Sequence, residues 1–165
     1  IRSSFYTSPE GYEGDFLKYA QVADVLIAGA YWDPSAPVLF EREDVLKNNF
    51  KIRIIADITC DIQGSIPSTL RSSTIDDPIY DYNPSEDIVE LPLTDEANIT
   101  VMAVDNLPCE LSRDASESFG DELINNVFPY LVGEDILGTI AKATVTEMGS
   151  LSDKYDYLKA YVEGK

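Results

Sequence analysis

Apolar positions cluster in short runs separated by polar stretches. Ala23-Asp24-Val25-Leu26-Ile27-Ala28-Gly29-Ala30 is opened by an acid and closed by small residues. Its length and two-sided apolarity predict a buried parallel strand. Lys51-Ile52-Arg53-Ile54-Ile55-Ala56-Asp57-Ile58 predicts a second, and Ile99-Thr100-Val101-Met102-Ala103-Val104 a third. Between the first two, Pro34 and Pro37 punctuate a loop, and Glu41 to Asn49 carries Val45 and Leu46 on one face of a short helix. Strand, helix, strand is a βαβ rhythm, so the expected architecture is α/β with a parallel sheet.

Outside this rhythm the pattern is less regular. The first 19 residues, polar and aromatic with Gly11 and Gly14, read as a loop or an incomplete start. Residues 63–98 are broken by Gly64, Pro67, Pro78, Pro84 and Pro92, with short strand candidates at Ile79–Tyr82 and Ile88–Leu91. After Pro108, the residues Leu111, Ala115, Phe119, Leu123, Val127 and Leu131 recur at helical spacing. Asp105 or Asn106 can cap that helix, with Pro108 in its first turn. A second helix is expected between Asp135 and Met148, and a terminal one over Ser152 to Val162, with Tyr155, Leu158 and Val162 as its apolar stripe.

Charge narrows the function classes. Twelve Lys and Arg against 30 Asp and Glu give a net charge of −18, the opposite of a nucleic-acid or anionic-membrane footprint. Residues 72–141 hold one cation, Arg113, among 16 acids, which fits a solvated acidic face or a site for a cationic substrate such as lysine. There is no histidine, which removes Ser-His and Cys-His nucleophile pairs and the commonest metal ligand. Cys60 and Cys109 lack metal-site or CxxC spacing and are expected as buried free thiols of a cytoplasmic protein, with a single disulfide between them the lesser reading; no metal site is expected. No apolar run approaches membrane-spanning length, and the sequon Asn98-Ile99-Thr100 falls in a predicted strand and reads as chance.

Candidate chemistry lies at the carboxyl ends of the predicted strands, where open α/β sheets bind ligands. Ala28-Gly29-Ala30-Tyr31-Trp32 lets a flat ligand approach the backbone. Ala56-Asp57-Ile58-Thr59-Cys60-Asp61-Ile62-Gln63-Gly64-Ser65 places two carboxylates before a glycine, and Ala103-Val104-Asp105-Asn106-Leu107-Pro108 runs from strand to helix. Singly, these also fit a tight turn, an Asp-rich loop and a helix cap.

Together, the run Ala56 to Ile66 and the following Ser73-Thr74-Ile75-Asp76-Asp77-Pro78 closely resemble lysine–2-oxoglutarate reductase, the saccharopine-forming half of a bifunctional lysine-degrading enzyme. Val25 to Trp32, Val104 to Pro108 and Arg113 to Asp121 support the resemblance, which runs from about residue 22 onward. The lysine-forming saccharopine dehydrogenase has the same order of elements; alanine dehydrogenase and the transhydrogenase alpha subunit are more distant relatives. The resemblance implies a partial Rossmann-type parallel sheet, the last strands of a coenzyme domain, plus a returning segment of the substrate domain with C-terminal helices. The implied boundaries are 1–62 for the dinucleotide-binding part, 63–103 for the returning segment with its acidic loop, and 104–165 for an interdomain helix and the C-terminal helices.

The implied chemistry is hydride transfer between NAD or NADP and the imine of lysine and 2-oxoglutarate, or the reverse cleavage of saccharopine. Asp61 then lies beside the nicotinamide as the candidate catalytic or orienting carboxylate, with Asp57 structural. Ala28, Gly29 and Ala30 pass under the ribose, and Val104, Asp105, Asn106 and Leu107 line the nicotinamide end. Arg113 matches a family arginine, or serves in a helix salt bridge. The family's Gly-rich phosphate turn and its catalytic Lys and His belong to a first half, and Gly29 stands without spaced glycine partners. The implied partner is therefore the missing N-terminal portion of the same polypeptide, without which the chain is inactive. The alternatives are an alanine dehydrogenase-like enzyme and a non-catalytic binding domain that retains the fold.

Overall fold

The computed structural model describes Phe5 and residues 8–164. Two compact units divide the chain, Ile1–Glu110 and Leu111–Lys165.

The first unit is built on one five-stranded sheet: β1 (Val25–Ala28), β2 (Ile54–Asp57), β3 (Ile79–Asn83), β4 (Ile88–Glu90) and β5 (Ile99–Met102), in the order β1-β2-β5-β3-β4. β1, β2 and β5 are mutually parallel, as the apolar runs predict, while β3 and β4 form an antiparallel hairpin added beyond β5. The fold is α/β with a mixed sheet, in keeping with a partial Rossmann-like architecture. Two short helices, α1 (Leu17–Ala20) and α2 (Arg42–Val45), flank it. α1 lies within the stretch expected as loop, because Ala20, fully buried, turns that segment onto the core. α2 starts in a capping box in which Asp44 accepts from the Glu41 amide at 2.9 Å. The Asp44 carboxyl also binds the Lys47 ammonium, and that bond holds it below the usual carboxylate range.

Register assigns the faces. Leu26 and Ala28, Ile55 and Asp57, Val101 and Ala103, and Tyr80 and Tyr82 share one face, against which Phe40, Phe50, Ile52 and Ile66 pack. Ile52, Ile55, Ile66 and Ile99 are 0% exposed, and each such side chain contributes about 1.5–3 kcal/mol through burial. The other face is covered in part. Over β5, β3 and β4 the same face is largely polar. Between strands, Thr100 Oγ1 donates to Asp81 at 2.8 Å and Asn83 to Glu90 at 2.8 Å, and Ile88 stays 43% exposed. The loop 91–98 contributes Asn98, which donates to Glu90 at 2.8 Å. That bond, and only 6% exposure of Asn98, remove the sequon from solvent. Over β1 and β2 the same face is open, with Val25 51% and Ile27 71% exposed, so β1 is not the two-sided buried strand the sequence predicts.

The second unit has no buried residue among those described. It contains α3 (Ser112–Asn126), α4 (Phe128–Val132), α5 (Thr139–Ala143), a hairpin of β6 (Thr146–Glu147) with β7 (Ser150–Leu151), and α6 (Lys159–Val162) after a 3₁₀ turn over Asp153–Leu158. The long helix expected from Pro108 is thus split. A 3₁₀ turn, Leu107–Leu111, precedes α3, and the chain kinks at Val127 before Pro129, whose ring supplies no amide for a continuing helix. The helix expected over Asp135 to Met148 shortens to α5. Thr144, Val145 and Thr146 favour extended backbone, and Met148 and Gly149 turn the hairpin at φ 49° and 82°. The Asp135 carboxylate accepts from the amides of Thr139 and Ala141 at the start of α5, and these bonds lower its pKa.

Candidate functional site

Parallel pairing brings the predicted strand ends together. Ala28 pairs with Asp57 and Ala56 with Met102, so the chain leaves β1, β2 and β5 at one edge of one sheet. There the Ser73 amide donates to Ala103 O at 2.7 Å, and Ser73 forms a parallel bridge with Val104, tying the segment after β2 to the end of β5.

The turn after β2 is anchored by Asp57, which is 0% exposed. Its Oδ1 accepts from the Thr59 amide at 3.1 Å and the Thr59 hydroxyl at 2.6 Å, and its Oδ2 from the buried Thr69 hydroxyl at 2.7 Å. Asp57 is thereby committed to holding the turn. Beyond it, Cys60 and Gln63 adopt left-handed backbone at φ 54° and 59°, and the Gly64 amide donates to Asp61 O at 2.9 Å. A Cβ on Gly64 would sit 2.5 Å from Asp61 Cβ and 2.8 Å from Asp61 O, so the turn admits only glycine there. The result presents Asp61 outward, exposed, with a carboxylate that accepts no hydrogen bond among the described residues.

Asp105, exposed at the end of β5, shares this neighbourhood. Burial pushes the Cys60 thiol pKa up, and the nearby charges of Asp57, Asp105 and Asp61 push it further. Cys60 and Cys109 are both free; Cys60 is half-buried, and Cys109 is exposed rather than buried because it lies on the 3₁₀ turn Leu107–Leu111, none of whose residues is buried. Val104 is buried at 3%, Leu107 is half-buried, and Asn106 is exposed, its carbonyl accepting from the Cys109 amide at 3.0 Å. Neither Asp105 nor Asn106 caps α3: that helix begins only after the 3₁₀ turn, with Leu111 at its cap position and no side-chain cap. Arg113 is exposed in the first turn of α3, in the second unit, and forms no ion pair among the described residues.

Beside the end of β1 is a cavity of about 470 Å³. Ala28, Gly29 and Ala30 form part of its wall, with Phe16, Tyr31 and Trp32. The Trp32 indole is fixed by donating to the carbonyls of Ala36 and Pro37, each at 3.2 Å. Small residues beside aromatic rings suit a flat heteroaromatic ligand. Sequence reading finds Ala28 to Trp32 and misses Phe5 and Phe16, whose only signal is the aromatic content of the first residues.

No family model matches the chain. Among curated proteins, the alpha-aminoadipic semialdehyde synthase of Arabidopsis thaliana is 31% identical over 164 residues, covering 95% of this chain and 15% of that protein. The mitochondrial alpha-aminoadipic semialdehyde synthase of Mus musculus is 28% identical over 187 aligned positions, covering 95% of the chain and 20% of the relative. The NAD(+), L-lysine-forming saccharopine dehydrogenase of Schizosaccharomyces pombe is 30% identical over 114 residues, covering 67% and 28% respectively. The chain therefore spans between about a seventh and just over a quarter of the length of these relatives. Over the stretch that aligns, it belongs to the lysine–2-oxoglutarate reductase and saccharopine dehydrogenase family.

Proposed function

We propose that the chain is the C-terminal portion of an NAD(P)-dependent amino-acid oxidoreductase that forms or cleaves saccharopine. The observation carrying this reading is the convergence of Ala28–Ala30, Asp61 and Val104–Leu107 on one sheet edge, next to a cavity walled by small and aromatic residues. The family relationship supplies the chemistry.

The residues fit one end of a dinucleotide. A nicotinamide and its ribose suit the cavity at Ala28 to Ala30, whereas a pyrophosphate finds no spaced glycines in this sequence. When bound, the nicotinamide supplies or takes the hydride. The protein's part is positioning and charge. The tight Asp57–Gly64 turn holds the Asp61 carboxylate toward solvent, where it can orient a substrate amine or accept its proton. Asp105 adds a second acid at the same edge, which favours a cationic substrate such as lysine. Arg113, which matches a family arginine, keeps two readings, a substrate contact or a structural helix residue. With no histidine, the chain lacks the family's catalytic pair and is inactive without the preceding portion of the polypeptide. Two free thiols fit a reducing compartment, the cytoplasm in this reading. The mitochondrial name of the Mus musculus relative makes the mitochondrion the alternative, which imaging of the tagged protein separates.

In the complete polypeptide, Asp61→Asn is expected to lower turnover at least tenfold, about 1.4 kcal/mol of barrier, with thermal stability near native. Unchanged turnover removes Asp61 from the site. The isolated chain should bind NADH or NADPH at best in the millimolar range by fluorescence titration, and micromolar affinity would refute the division of the site. A non-catalytic binding domain predicts no turnover even in the complete polypeptide, and an alanine dehydrogenase-like enzyme predicts turnover with pyruvate and ammonia in place of 2-oxoglutarate and lysine.

A further inference from the structure

Two ladders end together on β5, and the chain continues beyond them into the candidate site. β2 pairs with β5 as far as Ala56 beside Met102, and β3 joins β5 at Ile79, also beside Met102. The next residue, Ala103, is 0% exposed, so its amide and carbonyl must find partners inside the protein. Ser73 supplies both. Its amide donates to Ala103 O at 2.7 Å, and its hydroxyl oxygen accepts from the Ala103 amide at 3.3 Å. Ser73 thus takes the part of a neighbouring strand, with its side chain in place of a backbone carbonyl. Its parallel bridge to Val104 carries the pairing one residue further, and Asp105 follows at once.

Ser73 is held in turn by a loop that Arg71 closes. Arg71 Nη2 donates to Asp77 Oδ2 at 2.8 Å, and Nη1 donates to the Ser72 carbonyl at 3.1 Å. The guanidinium carbon lies 4.7 Å from the centre of the Tyr80 ring, a cation–π contact. Tyr80 is a fixed platform, because it is 0% exposed and its hydroxyl bonds both Ser68 O and the Leu70 amide. Asp77 is tied back to Thr74, whose hydroxyl accepts from the Asp77 amide at 3.1 Å and whose amide donates to Asp77 O at 3.2 Å. The Arg71–Asp77 pair alone is too exposed to hold much, at 36% and 64%. Stacking on a buried ring is what gives the planar guanidinium one geometry.

We propose that Ser73, held in this loop, is the positioning residue for Asp105. By clamping Ala103 it fixes the path of Val104–Leu107, and with it the place of the Asp105 carboxylate at the sheet edge. The inference rests on the reading of Asp105 as an acid that receives a cationic substrate. Asp61 is set by its own turn through Asp57, so the two acids are placed by separate devices.

The test uses the complete polypeptide. Ser73→Ala keeps the amide bond to Ala103 O and removes the acceptor of the Ala103 amide. Amide hydrogen exchange over residues 103–107, read by mass spectrometry without substrate, should then quicken about tenfold. The Michaelis constant for lysine should rise about tenfold, with that for 2-oxoglutarate within about twofold of the parent. Ile52→Val, a buried change just before the start of β2, reports lost stability alone and should move neither constant. Arg71→Met opens the loop at a half-buried position and carries the test if Ser73→Ala does not fold. It should shift exchange and the lysine constant in the same direction, and add nothing to Ser73→Ala in the double variant, since both act through one contact. Unchanged exchange overturns the proposal, as does an equal rise in both Michaelis constants. Asp105→Asn keeps the two readings apart. If it raises the lysine constant and Ser73→Ala does not, Ser73 serves the fold alone and the proposal fails. If it leaves that constant unchanged, Asp105 is no site acid, and the proposal falls with that reading.

Discussion

Replacing Asp57 tests whether the site turn is held from the core. Its carboxylate is 0% exposed and accepts three hydrogen bonds, two from Thr59 and one from Thr69. Thr69 is itself 0% exposed, so Asp57→Ala leaves its hydroxyl with neither partner nor water, at about 1–3 kcal/mol. The two bonds to half-buried Thr59 add about 1 kcal/mol each, for a total of about 3–5 kcal/mol. Asp57→Asn should cost only about 1 kcal/mol. The amide oxygen can face Thr59 and keep both bonds there, while the amide nitrogen faces Thr69, whose hydroxyl can rotate from donor to acceptor. Urea unfolding followed by the fluorescence of Trp32, the single tryptophan, measures both. A double-mutant cycle with Thr69→Val should return a coupling of about 1–2 kcal/mol. A cost below about 1 kcal/mol for Asp57→Ala, or equal costs for Ala and Asn, would refute the account of Asp57 as the anchor.

Gly64→Ala forces a Cβ to 2.5 Å from Asp61 Cβ and should destabilise by about 1–3 kcal/mol in the same assay; a loss under about 0.5 kcal/mol would mean that the turn is loose. Tyr80→Phe deletes a hydroxyl that donates to Ser68 O and accepts from the Leu70 amide, both at 3.0 Å, and should cost about 1–3 kcal/mol by thermal melts; stability equal to the parent would show that water replaces it. At Cys60 the folded pKa lies above the ordinary value, so the fold favours the neutral thiol. Its contribution to stability is present below about pH 8.5 and is lost as pH rises through the folded value. Iodoacetamide at about pH 7.5 should therefore modify exposed Cys109 well before Cys60, and equal rates would contradict the shift.

Much of the parallel sheet is legible from residue order. Val25 to Ala28, Ile54 to Asp57 and Ile99 to Met102 are runs rich in branched apolar residues between polar bounds, and they form β1, β2 and β5. Composition alone excludes histidine chemistry from the chain. The candidate site is legible as three strand ends, and parallel pairing is what puts them on one edge.

Where neighbours distant in sequence decide the outcome, local pattern is insufficient. Asp57 and Asp61 are both acids at the end of one strand, and it is Thr69, twelve residues beyond Asp57, that commits Asp57 to the turn while Asp61 stays exposed. The spacing from Leu111 to Leu131 reports an apolar stripe but does not register the kink at Val127, the 3₁₀ turn that separates Asp105 from the start of α3, or the hairpin at Met148–Gly149. Apolarity on both sides of β1 states that both faces prefer burial. Only the tertiary structure shows that one face packs on the core while Val25 and Ile27 remain exposed, because covering a strand requires a second element, and its own sequence cannot specify where that element lies.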